Sequence, residues 1–169
     1  MAITLYEATV PQFLQVLGGL RGALAKAVDH AGGEAADLPD ARLIEDMFPL
    51  NLQLLRVADH SAGALRDASQ GRFTRPAQTP LTCESALALL AETEDVLKGW
   101  TAEAVTALED RDVVFDVGGT RMEFKGAAFL LSFSLPNFFF HAVTAYDILR
   151  MKGAPIGKRD YLGRLRMAL

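Results

Sequence analysis

The sequence predicts an all-α protein, an antiparallel four-helix bundle with a small β-hairpin between its third and fourth helices. Three observations predict this fold. Apolar residues recur at helical spacing in four long segments, the connections between these segments are of modest length, and an alternating pattern interrupts them once. The chain has 169 residues, of which 50% are hydrophobic and 22% are charged, as is typical of a single domain over residues 1–169.

The first helix is predicted to begin at Thr4, because Thr4 and Glu7 match the capping box. Gly18, Gly19 and Gly22 lie further along this helix and allow a neighbouring element to approach closely. Its apolar residues are spaced alternately by three and four, which indicates a helix packed along its whole length. They are Ile3, Tyr6, Val10, Phe13, Leu17, Leu20, Leu24 and Ala27.

A second helix is predicted from Leu50 to Ser69, after an irregular connection over Gly32 to Pro39 and a short helical turn over Asp40 to Leu50. His60 lies about 60° round this helix from Val57, at the edge of its core-facing arc. It is therefore placed to reach either the interior or the rim. The core-facing arc consists of Leu54, Val57, Ser61 and Leu65.

Residues 71–81, which include Pro76 and Pro80, are predicted to form a loop before the third helix. Thr82 is a good N-cap for that helix, which is predicted to extend to about Leu108.

An alternating pattern from Val113 to Phe124 predicts a β-hairpin. Gly118 and Gly119 at its centre supply the positive φ angles that a two-residue turn requires. Because two strands alone are marginally stable in water, we expect the hairpin to lie on the bundle or to pair with another copy of itself.

The fourth helix is predicted from Gly126 to Met151 and is apolar on nearly every side. It has no Asp, Glu, Lys or Arg before Asp147 and is about long enough to span a bilayer. Its many polar residues and Pro136 favour a buried bundle helix instead. The tail from Gly153 to Leu169 is predicted to be mostly irregular, with a short turn over Tyr161 to Met167.

A polar seam on the fourth helix is the best candidate for a functional site. Polar groups on a helix in an interior must find partners or bind something. The seam falls within roughly 100° of arc. Its members are Ser134, Asn137, His141, Thr144, Ala145 and Ile148.

Charge and cysteine content restrict the partners. The net charge is −4, and such an acidic chain argues against general nucleic-acid binding, although basic residues from Arg150 onward leave contact with an anion open. Cys83 is the only cysteine, so an intramolecular disulfide is excluded and a reducing compartment is favoured. The N-terminus lacks the features of a signal peptide. We therefore predict a cytoplasmic protein with no nucleic-acid partner and no membrane.

Segments over nearly the whole chain carry a family resemblance. They are Leu5-Tyr6 with Val10-Pro11-x-Phe13-Leu14, Ala41-Arg42-Leu43 with Asp46-Met47-Phe48-Pro49-Leu50, Ala58-Asp59-His60, Pro136-Asn137-Phe138-x-Phe140-His141 with Thr144-Ala145-Tyr146, and Gly157-Lys158-Arg159-Asp160. In these segments the chain resembles a bacterial family of unknown function within the DinB/YfiT-like helical-bundle superfamily.

The resemblance implies a metal site that this chain does not fully match. Similar proteins have one metal-ligand histidine on the second helix and a His-x-x-x-His pair on the fourth, and characterised members include thiol-cofactor-dependent transferases and isomerases. Carried over, His60 is the first ligand and His141 the second, but Ala145 occupies the third position. A catalytic divalent metal such as Zn²⁺ usually has three protein ligands, so two histidines alone bind it weakly.

Three interpretations stay open at this stage. In the first, His60 and His141 hold a divalent metal (Zn or Ni) of a degenerate metalloenzyme, completed by Asp46, Asp59 or Tyr146. In the second, the seam is structural, and its polar groups bond to one another and to His60. In the third, the bundle binds a small ligand or a protein without metal and without catalysis, which a large exposed apolar patch on the fourth helix or hairpin favours. A homodimer is compatible with either function. The pocket candidates are Asn137, Thr144, Asp46 and Tyr146.

Overall fold

The structure, a computed structural model, describes residues 2–74 and 79–167. It is mostly helical and has a small three-stranded sheet. Pro76, in the predicted loop, lies outside the described residues. The elements are α1 (Leu5–Ala31), a 3-10 helix (Gly32–Asp40), α2 (Leu50–Ala58), a π-helix (Asp59–Gly63), α3 (Ala64–Gln70), β1 (Arg72–Phe73), α4 (Cys83–Lys98), α5 (Ala102–Thr106), β2 (Asp112–Val117), β3 (Thr120–Lys125), α6 (Gly126–Ala128), a second π-helix (Phe129–Ser134), α7 (Leu135–Met151) and α8 (Lys158–Leu162).

The start and the apolar seam of α1 agree with the prediction. Glu7 donates its backbone N–H to Thr4 Oγ1 at 3.2 Å and accepts from the Thr4 backbone at 2.9 Å, which completes the capping box. Ile3 is an exception in the predicted seam, because it precedes the helix and is 79% exposed. The central part of the seam is fully buried, namely Val10, Phe13, Leu17, Leu20 and Leu24.

The long helices share one hydrophobic core. α1 packs against α4 and α7, and α2 packs against the same two helices. The C-terminal α8 also packs on α1, where Gly19 touches the backbone of Asp160 and Tyr161. The predicted turn over Tyr161 to Met167 is therefore wrong in position: the helix begins earlier, where the Gly157 N–H donates to Asp160 Oδ2 at 2.7 Å.

Two predicted segments have a different conformation in the structure, and one predicted helix end is wrong. The connection after α1 is a 3-10 helix rather than irregular chain. Residues 41–49 form bends and a turn rather than a helix, and the Leu50 N–H closes this segment by donating to the Ala41 carbonyl at 2.8 Å. The third helix ends at Lys98, because the Thr101 side chain accepts from the Ala104 N–H and so caps a new helix, α5.

The predicted hairpin is present and gains a third strand. β2 and β3 pair antiparallel from Asp112 opposite Lys125 to Val117 opposite Thr120, and Gly118 and Gly119 have φ angles of 61° and 82°. β1 lies inside the predicted loop and pairs parallel to β2, with Phe73 opposite Phe115. The edge of β2 is therefore covered by β1 from the same chain, rather than by another copy of the hairpin.

Among the described residues, one helical stretch, Gly126–Met151, is long and apolar enough to cross a membrane. Phe129, Leu130 and Phe138 from this stretch are fully buried within the protein, and α7 packs on α1 and α2. These contacts place one face of the stretch in the hydrophobic core.

Candidate functional site

The two histidines predicted as a pair lie side by side in the structure. His60 is on the π-helix that continues α2, and His141 is on α7. Their ring centroids are 5.8 Å apart, and the two ring planes differ by 12°. Both side chains are buried, with 5% and 8% of the residue exposed. The packing of α2 and its π-helix on α7 thus brings the two histidines together.

The histidine pair is part of a longer column of rings, which we call the ring column. Each ring lies nearly parallel to the next, with planes that differ by at most 25°. The centroid distances along it are 6.5, 5.8, 5.8 and 5.1 Å. Its members in order are Phe48, His141, His60, Phe73 and Phe115.

Five different parts of the chain supply the ring column. Phe48 comes from the turn before α2 and is 42% exposed, so it is the outer end of the column. Phe73 and Phe115 come from the paired strands β1 and β2 and form the buried inner end. His60 lies in a π-helix, a rare conformation that occurs mostly as a single turn and often at functional sites. Phe133, on the second π-helix, meets the His60 ring edge-on at 5.5 Å.

Gln53 determines the protonation of His141. The Gln53 Oε1 atom lies 2.7 Å from His141 Nδ1. Because an amide oxygen only accepts, Nδ1 carries the proton and Nε2 keeps its lone pair. Burial and, second, the positive charge of Arg56 lower the pKa of His141 to about 4. His141 is therefore neutral near pH 7, with Nε2 as a hydrogen-bond acceptor.

A buried ion pair lies on the helical stretch that carries His60. Arg56 Nη1 donates to Asp59 Oδ2 at 2.6 Å, and the two residues are 4% and 8% exposed. Arg56 Nε is buried and has no hydrogen-bond partner among the described residues. The site thus combines one paired positive charge with aromatic rings and a neutral imidazole.

Two polar residues of the seam bond to the backbone of their own helical stretch. Asn137 Nδ2 donates to the Phe133 carbonyl, and Thr144 Oγ1 donates to the Phe140 carbonyl, each at 2.7 Å. Both acceptors are one turn back on the same helix, a common local bond for short polar side chains. The hydrogen bonds of these two side chains are therefore made within their own helical stretch and not with the histidine pair.

The candidate third ligands do not complete a metal site. Ala145 is fully buried, Asp46 is exposed on the turn before α2, and Tyr146 packs edge-on against Tyr161. Asp59 is held by Arg56. Within residues 2–74 and 79–167, no group of three or more His, Cys, Asp or Glu is placed to hold a metal ion. The donor set does not fit a catalytic ion with three protein ligands.

Sequence reasoning did not identify Gln53, Arg56, Phe48, Phe73 or Phe115 as residues of the site. Gln53 and Arg56 precede His60 by seven and four residues, and this helical spacing is a signal that could have found them. Phe48 and Phe73 had no such signal, because a turn and a non-local strand pairing bring them to the histidines.

The comparisons with known proteins agree with this architecture. A family described as a domain of unknown function, DUF1993, matches residues 5–162. The chain belongs to this family. A crystal structure of a DinB family member protein from Shewanella denitrificans is similar, with a TM-score of 0.84, 24% sequence identity, and coverage of 98% of this chain and 95% of that chain. A search of curated proteins finds no match.

The family and the structural likeness confirm the resemblance predicted from the sequence. At 24% identity the likeness shows the fold alone, which is DinB-like. The family carries no described activity. Function therefore has to be argued from the site.

Proposed function

We propose that this DUF1993 protein is an antiparallel four-helix bundle that binds a small planar ligand at the ring column, without a metal. The bundle is supported by the packing of α1 and α2 against both α4 and α7. The ligand site is supported by one observation above all. Phe48 and Phe140, which are 42% and 56% exposed, both contact the ring of His141, so that two partly exposed aromatic rings cover the neutral imidazole.

The chemistry of the Phe48 and His141 rings defines the ligand. Phe48 stacks on His141 at 6.5 Å, the longest distance in the ring column. A planar ligand that takes the position of Phe48 continues the stack. His141 Nε2 accepts a hydrogen bond because Gln53 fixes the proton on Nδ1. The ligand class is therefore a small aromatic molecule that carries a hydroxyl or N–H donor.

An exposed apolar surface on α7 also favours binding over catalysis. Phe140 and Val143 on α7 are 56% and 41% exposed, and Ile44 on the turn before α2 is 61% exposed. Among the described residues, the hairpin contributes no large apolar side chain of this exposure. Apolar groups around a small polar centre are typical of ligand sites.

Phenol and anisole are the matched probes for the ligand site, because anisole has the same ring but no donor. We expect saturable phenol binding by calorimetry. It strengthens in Phe48→Ala, where a competing ring is removed, and it weakens about tenfold in His141→Phe, where one hydrogen bond is lost. Anisole affinity stays the same in His141→Phe. Phenol binding that neither substitution alters contradicts the proposed site.

A two-histidine metal site is the second candidate, and one observation favours it. The hydrogen bond of Nδ1 to a carbonyl oxygen is the arrangement that orients a metal-ligating imidazole. His60 and His141 would be the ligands of a divalent ion that acts as a Lewis acid when bound.

Elemental analysis of untagged protein separates the two candidates. We expect substoichiometric metal in the natural chain and stoichiometric Co²⁺ binding in Ala145→His, because histidines at i and i+4 share one helix face. The absorption spectrum of Co²⁺ reports tetrahedral coordination. Stoichiometric Zn, Ni, Mn or Fe in the natural chain, lost in both His60→Ala and His141→Ala, would refute the metal-free proposal.

A further inference from the structure

A cleft away from the ring column lies between the 3-10 helix, α2 and the start of α4. Its volume is about 490 Å³. No member of the ring column lines it. Val28, Pro39 and Leu81 form apolar walls, and Asn51 from the first turn of α2 also lines it. Nothing in the proposed function uses this cleft.

Asn51 presents an unsatisfied acceptor at this cleft. Its side chain is buried, with 7% of the residue exposed, and Nδ2 donates to Asp40 Oδ1 at 3.4 Å. Because a carboxylate only accepts, the amide nitrogen must face Asp40, and this orients the carbonyl oxygen away from it. The Asn51 Oδ1 atom is buried and has no hydrogen-bond partner among the described residues. Such an atom is destabilising until a donor reaches it.

The charge of the cleft selects a cation. Asp40 and Glu84 are exposed carboxylates in its wall, and the described residues that line it include no Lys, Arg or His. Five of its lining residues, among them Pro39, Asn51 and Leu81, also border a mainly apolar gap that is too small to hold a water molecule. An acidic mouth above apolar walls complements a molecule with one positive end and one apolar end.

We propose that this cleft binds a primary ammonium ion that carries an apolar substituent. The ammonium group donates to Asn51 Oδ1 and to the Asp40 carboxylate, and Glu84 adds negative charge. Since Oδ1 is covered, binding requires a small displacement of Pro39 or Leu81, which line the cleft together with Asn51. The substituent packs on the apolar walls.

Two sources of this chemistry differ in one group. A simple alkylamine carries only the ammonium, whereas an apolar amino acid also carries a carboxylate. The first turn of α4, which Thr82 caps, borders the cleft and favours negative charge. Hexylammonium and leucine therefore distinguish the two sources, and hexanoate is the control without an ammonium group.

Calorimetry and the protection of Cys83 test the site together. Cys83 is the only cysteine, is partly exposed and lines the cleft, so alkylation by N-ethylmaleimide reports occupancy there. We expect saturable binding of hexylammonium or leucine in the millimolar range, slower alkylation of Cys83 in their presence, and neither effect with hexanoate. Tighter binding of hexylammonium identifies an amine ligand, and tighter binding of leucine identifies an amino acid.

Matched variants assign the binding to the two acceptors. Asp40→Asn and Asn51→Leu are each expected to weaken binding about tenfold, because each removes one acceptor of the ammonium. Glu45→Gln removes an exposed carboxylate outside the cleft and leaves the affinity unchanged. Asp40 is exposed, so its variant keeps the fold. The proposal is overturned if neither ammonium probe binds, or if both variants bind as the natural chain does.

Discussion

The seam of α1 is buried, and so is the ring column except for its outer end at Phe48, but different forces stabilise the two regions. The seam is a row of apolar side chains on one helix, from Val10 to Leu24, and excluding water is sufficient to stabilise it. The ring column takes its rings from five parts of the chain and contains two imidazoles beside a buried ion pair. Polar groups in such a place are stabilising only while each keeps its partner. The seam therefore contributes mainly to stability, whereas the polar groups of the ring column lower stability unless each of them is hydrogen-bonded.

The largest expected effect tests the seam. Phe13 is fully buried and meets Phe138 edge-on at 4.8 Å. Phe13→Ala is expected to lower the free energy of unfolding by about 3–5 kcal/mol, because it leaves a cavity. Phe140→Ala, at a 56% exposed position beside the ring column, is the control and is expected to cost less than about 1 kcal/mol. Urea denaturation measures both, and equal losses would remove the distinction between the two regions.

A pH effect of intermediate size tests the ring column. The pKa of His141 is about 4 in the folded protein and 6.5 in its ordinary state, so the unfolded chain takes up the proton first as pH falls. The contribution of neutral His141 to the free energy of unfolding is fully present above pH 6.5. It is lost as the pH falls to about 4, and the total change is about 3 kcal/mol.

His141→Gln isolates this contribution from the carboxyl groups that titrate in the same range. The difference in unfolding free energy between the natural chain and this variant should narrow as pH falls from 6.5 to 4. A difference that is constant with pH would mean that His141 is not held neutral by the fold.

The smallest effects test two adjacent glycines of α1. A Cβ at Gly19 would lie 2.7 Å from the Asp160 carbonyl oxygen and closer still to that of Tyr161, whereas a Cβ at Gly18 would meet nothing within 4 Å. Gly19→Ala is therefore expected to destabilise by about 1–3 kcal/mol through displacement of α8. Gly18→Ala is expected to stabilise by about 0.5–1 kcal/mol, because alanine favours a helix. Thermal unfolding of the two variants should shift in opposite directions; equal shifts would place α8 elsewhere.

Local signals predicted most of the secondary structure. The capping box at Thr4, the N-cap at Thr82, the seam of α1 from Val10 onward and the glycine pair of the hairpin were correct, because each depends on residues within a few positions of one another. The prediction was wrong where a local capping interaction ended one helix and began another. Thr101 capped a new helix where the apolar spacing predicted a continuous one.

The candidate site was predicted in part. The resemblance and the polar seam placed His60 and His141 together, and the structure agrees. The local bonds of Asn137 and Thr144, and the pairing of His141 with Gln53, were not predicted. A side chain can choose between a carbonyl of its own helix and a partner on another, and spacing alone does not distinguish these choices.

The sequence by itself determined the helices, the hairpin and the absence of a third histidine at position 145, because these follow from residue identity and short-range periodicity. Only the tertiary structure decided what surrounds the histidines. β1 pairs with β2 across about forty residues to bring Phe73 to His60, and the packing of α2 on α7 brings Gln53 to His141. Contacts between distant segments depend on how whole elements pack, which no local pattern encodes.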